Sequence, residues 1–518
     1  MRKYTYVIVF VSGMVSLAVE MAASRLLGNY FGTSNLVWAS IIGLILIYLT
    51  AGYFIGGRWA DRSPSYNTFF SILAWASLAI GLVPLVSRPI LRLAADAFDN
   101  LQLGVLAGSF ISVMILFIIP VTLLGMASPF AIRLSIEDKG SAGKVSGQIY
   151  AVSTLGSFIG TFLPVLVLVP LIGTYRSFLV LSALLMLFAL VGLYLVNKWR
   201  GLLPYCWMPI VLVLLFIFGV PGSDKRTTGM VFEGESAYNY IQVLQEGEFT
   251  LLRLNEGQGV HSIYSPHTLN YNGPWEQVIS APFFNPASVT AESITSAAIV
   301  GLAAGTTSRE LFAVFPNIVV DGIEIDPLIV EVGNQFFAME NEKLNVIVQD
   351  GRWALENSHR QYNIISVDAY RPPYIPWHMT TVEFFQVVYD HLDEDGVMVI
   401  NVGRAPTDRR LVNTLAATIQ TVFPTIYISD LSGSFNSLIF ATKQPTSIEN
   451  FLANYVQLLQ DENTPPLLLE VMAATYEGLQ PIPTASNLVF TDDRAPVEHV
   501  TNSIILSFLL SGESEFLE

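Results

Sequence analysis

The hydrophobic positions obey two different rules on either side of residue 221. Ahead of it, apolar residues form long runs near 4–24, 36–57, 66–86, 103–126, 146–172 and 174–196. Each approaches or exceeds the roughly 20 residues that carry a helix across a bilayer. A seventh run, about 205–220, is shorter and has Pro204 and Pro209 near its start. Beyond residue 222 the runs shrink to strand length and are broken by glycine and polar turns. The first run continues into RLLGNYFG with no small-residue cleavage site, so it reads as a span and not as a cleaved leader.

Positive charge orients such helices. Arg2 and Lys3, Arg58 and Arg62, Arg133, Lys139 and Lys144, and Lys198 and Arg200 share one side if the runs alternate. The expected arrangement is a multi-pass plasma-membrane protein with a cytoplasmic N-terminus and six spans. The seventh run is then re-entrant or interfacial, and the second half of the chain is cytoplasmic. Arg88 and Arg92 belong to SRPILRLAADAFDN, a segment expected along the interface. GYFIGG at 52–57 and Gly147, Gly156 and Gly160 predict close helix crossings. Glu20 and Arg25, near the outer end of the first span, are ionisable residues where such groups mark function, although a spacing of five is not a helical pair.

Between 230 and 290, YNYIQVLQ, FTLLRLNEG and HSIYS read as short strands. After about 297 strands and helices alternate. SAAIVGL, NIVVDGIEI, NVIVQDG, YNIISVDAY and GVMVINVG are strands, and TTSRELFAVF, PLIVEVGNQFF and VEFFQVVYDHL are helices. Such alternation predicts a parallel sheet covered on both faces. The expected fold is therefore a multi-span α-helical membrane domain (1–221), a small N-terminal β-sheet (222–290) and an α/β Rossmann-like, class I methyltransferase-like domain (291–518).

Composition sharpens this division. Of all residues 52% are hydrophobic and only 13% charged, with a net charge of −16. The first 221 residues carry a net +7 and the remainder a net −23. An acidic second half excludes nucleic acid as the expected partner, since phosphate binding needs clustered Lys and Arg. It suits either a cationic small molecule or plain solubility. The lone Cys206 excludes an intramolecular disulfide, and the six histidines show no metal-ligand spacing, so no metal is expected.

Ligands of such sheets bind beyond the carboxyl ends of the strands, where this sequence places its acids. Gly301 and Gly305 let the backbone turn closely after the first strand. Glu324 ends the second, where a carboxylate can accept both ribose hydroxyls. Asp350-Gly351 follow the third, within reach of an adenine edge. Asp368 closes the fourth, facing the reacting atoms. Any one of these acids could merely cap a helix; four at successive strand ends point to an adenosine-containing ligand. The loop VGLAAGTTSRE is neither GxxxxGK[ST] nor GxGxxG, so a triphosphate or pyrophosphate is not expected. An adenosine bearing a sulfonium side chain fits a loop without lysine.

IVGLAAGTTSRELF, VDGIEIDPLIVEV, VIVQDGRWAL and YNIISVDAYRPPYIPWHMTTVEFFQVV resemble the spermidine synthase (polyamine aminopropyltransferase) domain. VSGMVSLAVEMAASRLLG, GYFIGGRWADR, YAVSTLGSFIGTFLP and TDDRAPVE are similar to the version of that family fused to a membrane region. The resemblance implies transfer of an alkyl group other than methyl, with release of methylthioadenosine. It implies a putrescine-like amine as substrate and decarboxylated S-adenosylmethionine as cosubstrate, with no permanently bound cofactor. It also implies the lipid bilayer and a homodimer as partners. Asp368 would be the catalytic base, Glu324 would hold ribose, Asp350 adenine, and Gln242 the nucleoside. Tyr370, Tyr374 and Trp377 would close over a cationic substrate, or else form a packed aromatic loop.

Three departures qualify what the resemblance implies. Soluble spermidine synthases have a GGGDGG-like loop whose aspartate holds the aminopropyl ammonium, and Ala304 stands there. Trp275-Glu276 replaces a tyrosine–histidine pair, and DAYRPPYIP lacks a second aspartate. Either another acid substitutes, with Glu276 the candidate, or S-adenosylmethionine itself is the cosubstrate. The alternatives are a methyl- or aminocarboxypropyl-transferase with a membrane acceptor, and a transporter with a nucleoside- or polyamine-sensing domain.

Overall fold

The computed structural model describes residues 1–31, 35–101, 105–136, 139–219, 227–255, 259–370, 374–482 and 488–511. The chain forms two compact units, Met1–Arg226 and Thr227–Glu518. The expected boundary at 221/222 lies outside the described residues.

The first unit is helical: α1 (Arg2–Phe31), α2 (Asn35–Arg62), α3 (Tyr66–Leu101), α4 (Val105–Gly125), α5 (Ala127–Ser135), α6 (Ala142–Leu163), α7 (Val169–Leu202) and α8 (Trp207–Phe218). Among the described residues five helical stretches are long and apolar enough to cross a membrane. The fifth, Ala142–Tyr205, contains both the fifth and sixth expected runs. Gly173 divides it, because its φ of +77° and ψ of 168° lie outside the helical region. The seventh expected run forms the 12-residue α8, too short to span. SRPILRLAADAFDN is not a separate segment. It continues α3, past Pro84 and Pro89.

Small residues set the crossing of α1 with α6. A Cβ on Gly156 would lie 2.0 Å from the Phe10 carbonyl oxygen, and one on Gly160 2.0 Å from that of Met14. Backbone meets backbone there, as the sequence predicts. Gly147, by contrast, has nothing within 4 Å and makes no such contact. Glu20 is buried within the unit.

The second unit begins with an antiparallel sheet in the order β1 (Met230–Glu235), β2 (Tyr240–Glu246), β3 (Phe249–Leu254), β4 (Val260–Tyr264), followed by the short α9 (Pro274–Gln277). The larger sheet contains β5 (Ser296–Val300), β6 (Val319–Glu324), β7 (Leu344–Val348), β8 (Tyr362–Val367), β9 (Leu392–Gly403), β10 (Thr425–Asp430), β11 (Asn436–Thr442) and β12 (Leu479–Gln480). Its order is β12-β10-β11-β9-β8-β5-β6-β7. Strands β7, β6, β5, β8 and β9 are parallel, as expected. The other three pair antiparallel with their neighbours, β11 with both β9 and β10, and β12 with β10, so β11 and β12 run against the rest. The sheet is therefore mixed. Chain order reverses between β5 and β8, which creates the crevice where such sheets bind ligands.

Helices α10 (Thr306–Val314), α11 (Pro327–Phe336), α12 (Gly351–Glu356) and α13 (Val382–Asp390) follow β5 to β8 in turn. Helices α14 (Arg410–Ile419), α15 (Ile448–Leu459), α16 (Pro466–Glu477) and α17 (Val497–Ser511) complete the unit. Strand β5 is almost wholly buried, which explains its continuous apolar run SAAIV where a half-exposed strand would alternate. Two apolar cores cover the two faces of this sheet. A third, with Ile241, Leu252, Ala304, Ile329 and Phe337, joins the small sheet to the loop after β5 and to α11.

Candidate active site

The loop after β5 decides how close the strand ends can come. Gly301 has φ +95°, and a Cβ there would sit 2.5 Å from the carbonyl oxygen of Asp368. Only glycine allows the first and fourth strand ends to meet this closely. Ala303 also has positive φ, +48°, and its N–H donates to Glu324 Oε2 at 3.0 Å. Three strand ends are thereby tied around one opening.

That opening is a cavity of about 440 Å³. Gly301, Glu324, Asp350, Gly351, Asp368 and Tyr370 line it together, all of them singled out by the sequence. Among the described residues no lysine or arginine lines it. Its described lining thus offers acids, two histidines and apolar surface.

Each acid has its own setting. Glu324 is buried and accepts N–H groups from Ala303 and, through Oε1, from Asp326 at 3.0 Å. Burial nevertheless pushes its carboxyl up to about 7. Asp350 caps α12 by accepting the Trp353 N–H at 3.0 Å through Oδ1, and its Oδ2 meets His378 Nε2 at 3.2 Å. Asp368 accepts from Asn401 Nδ2 at 3.0 Å. Burial raises its pKa to about 6, and the Asn401 hydrogen bond opposes that rise. A carboxyl near 6 is poised to take a proton close to neutral pH.

Other expected residues lie elsewhere. Gly305, with φ +81°, is the N-cap of α10 and packs toward Met339, outside the lining. Gln242 is buried, and its amide donates to Thr227 Oγ1 and Met230 Sδ. Asn239, three positions earlier, lines the cavity in its place.

Glu276 does not face the cavity either. It caps α9 by accepting the Gly273 N–H at 2.6 Å and is fully buried, with its pKa raised by burial to about 7. It lies beside the equally buried Glu310, whose pKa is driven well up by burial and then by Glu276. Of the aromatic group only Tyr370 lines the cavity. Its hydroxyl donates to the Asn401 carbonyl at 3.0 Å and accepts the Gly403 N–H at 2.9 Å. Tyr374 donates to Asn502 Oδ1 at 2.6 Å, and Trp377 is exposed with its ring edge-on to His378. Ala304 is buried in the third apolar core, and it is Ala303 that faces the opening.

The structure adds residues that sequence reading missed. His261, from β4, lines the cavity with a buried Nε2 that has no hydrogen-bond partner among the described residues. Burial lowers its pKa to about 4, so the ring is neutral at physiological pH. Asn401 and His378 are the others. Asn401 was detectable in principle as a polar break in the apolar run VMVINVG; the other two carry no such local signal.

Strand order, glycine turn and strand-end acids define a Rossmann-like, methyltransferase-type domain with a nucleoside-sized cavity. Residues 286–442 match the model of the spermine/spermidine synthase domain. A probable polyamine aminopropyl transferase of Bifidobacterium longum is 32% identical over 54% of this chain; the match spans 64% of that relative's length, slightly under two thirds. A polyamine aminopropyltransferase of Vibrio vulnificus is 27% identical over 42% of this chain and 74% of its own length. An eEF1A lysine and N-terminal methyltransferase of Bos taurus is 27% identical over 27% of this chain and 22% of its own. Among solved structures, spermidine synthase from Thermotoga maritima aligns over 49% of this chain and 84% of its own, at 19% identity and a TM-score of 0.39.

Proposed function

We propose that the second unit is an aminopropyltransferase that takes an adenosyl-sulfonium donor, and that the first unit anchors it in a membrane. The observation that carries the reading is the convergence of Glu324, Asp350 and Asp368 on one cavity that, among the described residues, no lysine or arginine lines. Glu324 would accept the ribose hydroxyls and Asp350 the adenine amino group. Asp368 would take a proton from the attacking ammonium. The freed amine lone pair then forms a C–N bond to the methylene beside the sulfonium. The C–S bond breaks, sulfur keeps the electron pair, and methylthioadenosine leaves. Because the sulfonium charge vanishes in this step, alignment of nitrogen, carbon and sulfur supplies most of the acceleration.

Decarboxylated S-adenosylmethionine is the donor this reading favours, since among the described residues no lysine or arginine lines the cavity to meet a donor carboxylate. The five long apolar helices support a multi-pass membrane location, and the positive charges of the first half support a cytoplasmic second unit.

The test is incubation of the purified full chain with S-adenosylmethionine or its decarboxylated form, with and without putrescine, and product identification by mass spectrometry. Methylthioadenosine formed only from the decarboxylated donor plus amine is the expected result. Adenosylhomocysteine would overturn it in favour of a methyltransferase.

A further inference from the structure

TDDRAPVE does not line the cavity, yet the structure ties it to the adenine end. Asp492 receives both terminal nitrogens of Arg352, Nη1 to Oδ1 at 2.7 Å and Nη2 to Oδ2 at 2.8 Å. Paired, parallel hydrogen bonds of this kind fix a guidanium's plane as well as its position. Thr381 Oγ1 donates to the same Oδ1 at 2.7 Å, and the Asp492 N–H donates to Glu383 Oε2 at 3.0 Å. Asp492 is therefore held from three sides.

Arg352 passes this constraint inward. It directly follows Gly351, which lines the cavity, and its Nη1 also donates to the His378 carbonyl at 3.0 Å. The His378 ring returns to Asp350 Oδ2 at 3.2 Å. Asp350, Gly351, Arg352 and His378 thus form a closed ring of covalent and hydrogen bonds, and Asp492 braces it from outside. The Arg352 side chain is only 17% exposed, while that of Asp492, at 37%, borders solvent.

We propose that Asp492 is a positioning residue for purine selectivity: through Arg352 it holds Asp350 and His378 at the spacing that reads a 6-amino purine edge. The inference rests on the reading of Asp350 as the adenine contact. With the brace intact, Asp350 Oδ2 presents an acceptor at a fixed place, which favours an amino group over a 6-oxo group. Without it, Asp350 and His378 can move apart and accommodate either. Loss of general fold stability would weaken binding of both purines alike; loss of the brace changes their ratio.

The experiment measures dissociation constants of the full chain for methylthioadenosine and for its 6-oxo counterpart by calorimetry. Wild type is expected to prefer the 6-amino ligand. Asp492→Asn is expected to reduce that preference about tenfold, the loss of roughly one charge-assisted hydrogen bond. Asp492→Glu should restore most of it. Arg352→Lys, which retains the charge but not the paired geometry, should reduce it as well and serves if Asp492→Asn does not fold. In a His378→Ala background Asp492→Asn should add little, because the two act through one ring. An unchanged ratio in both Asp492→Asn and Arg352→Lys overturns the proposal while leaving the adenosyl pocket standing. Failure of wild type to bind either ligand overturns the pocket reading and the proposal together.

Discussion

Asn401 Nδ2 donates to Asp368 Oδ1 at 3.0 Å across the ends of β9 and β8. The contact opposes the rise in pKa that burial imposes on this carboxyl, which stands at about 6. A general base acts only when deprotonated, so on the proposed role of Asp368 kcat/KM should fall as pH drops through about 6. Asn401→Ala removes the group that favours the ionised form. The acid limb should then move up by about one pH unit, with activity recovering at higher pH. A pH–rate profile of the two proteins checks this, and coincident limbs would separate Asn401 from Asp368's ionisation.

Asp368→Asn retains the shape of the site and removes the proton acceptor. Turnover should fall by about 10²–10⁴-fold, while calorimetric affinity for methylthioadenosine changes little. Wild-type turnover in this variant would remove Asp368 from the role of base.

Glu324 has two oxygens already accepting Ala303 and Asp326 N–H groups, with lone pairs left for the proposed ribose contact. Glu324→Gln leaves one acceptor oxygen for all of these donors. Affinity for methylthioadenosine should weaken about 10- to 100-fold, and preference over the 2′-deoxy analogue should shrink with it. A 2′-deoxy ligand that binds the wild type equally well would place ribose elsewhere.

Gly301→Ala tests the strand-end geometry. Its φ of +95° and the 2.5 Å approach to the Asp368 carbonyl force either strain or separation of β5 from β8. About 1–3 kcal/mol of destabilisation is expected, read as a lower Tm, together with loss of nucleoside binding.

Glu276 and Glu310 make stability depend on pH. Both have folded-state pKa values above the ordinary 4.5, Glu276 reaching about 7, because burial penalises the charged form. The folded protein therefore retains protons that the unfolded chain gives up as pH rises past 4.5. Their contribution is complete below that value and is lost as pH climbs through about 7 for Glu276 and through the raised folded-state value of Glu310. Glu310→Gln should flatten this part of the Tm–pH curve, and an identical slope in wild type and variant would count against the buried protons.

Much of this protein can be read along the chain. Apolar run length separated the helical half from the α/β half, since bilayer thickness and strand length impose different periods. Alternating strands and helices identified the five parallel strands, and the acids at their ends identified Glu324, Asp350 and Asp368, because topology alone brings those ends together. Sequence reading was weakest where a side chain's direction decides its role. Gln242 lies within β2 and Asn239 in the turn before it, and only the folded hairpin decides which of them reaches the cavity. Glu276 carries the same carboxylate as Asp368 but is spent on a helix cap under apolar packing. Ala304 is filled in by the core that joins the two sheets. His261 and Asn401, from distant strands, reach the site only through folding. Local pattern determines which elements form, because it follows from the backbone's own periods. Which polar groups meet is a property of the three-dimensional packing that buries them, and no single stretch of chain contains it.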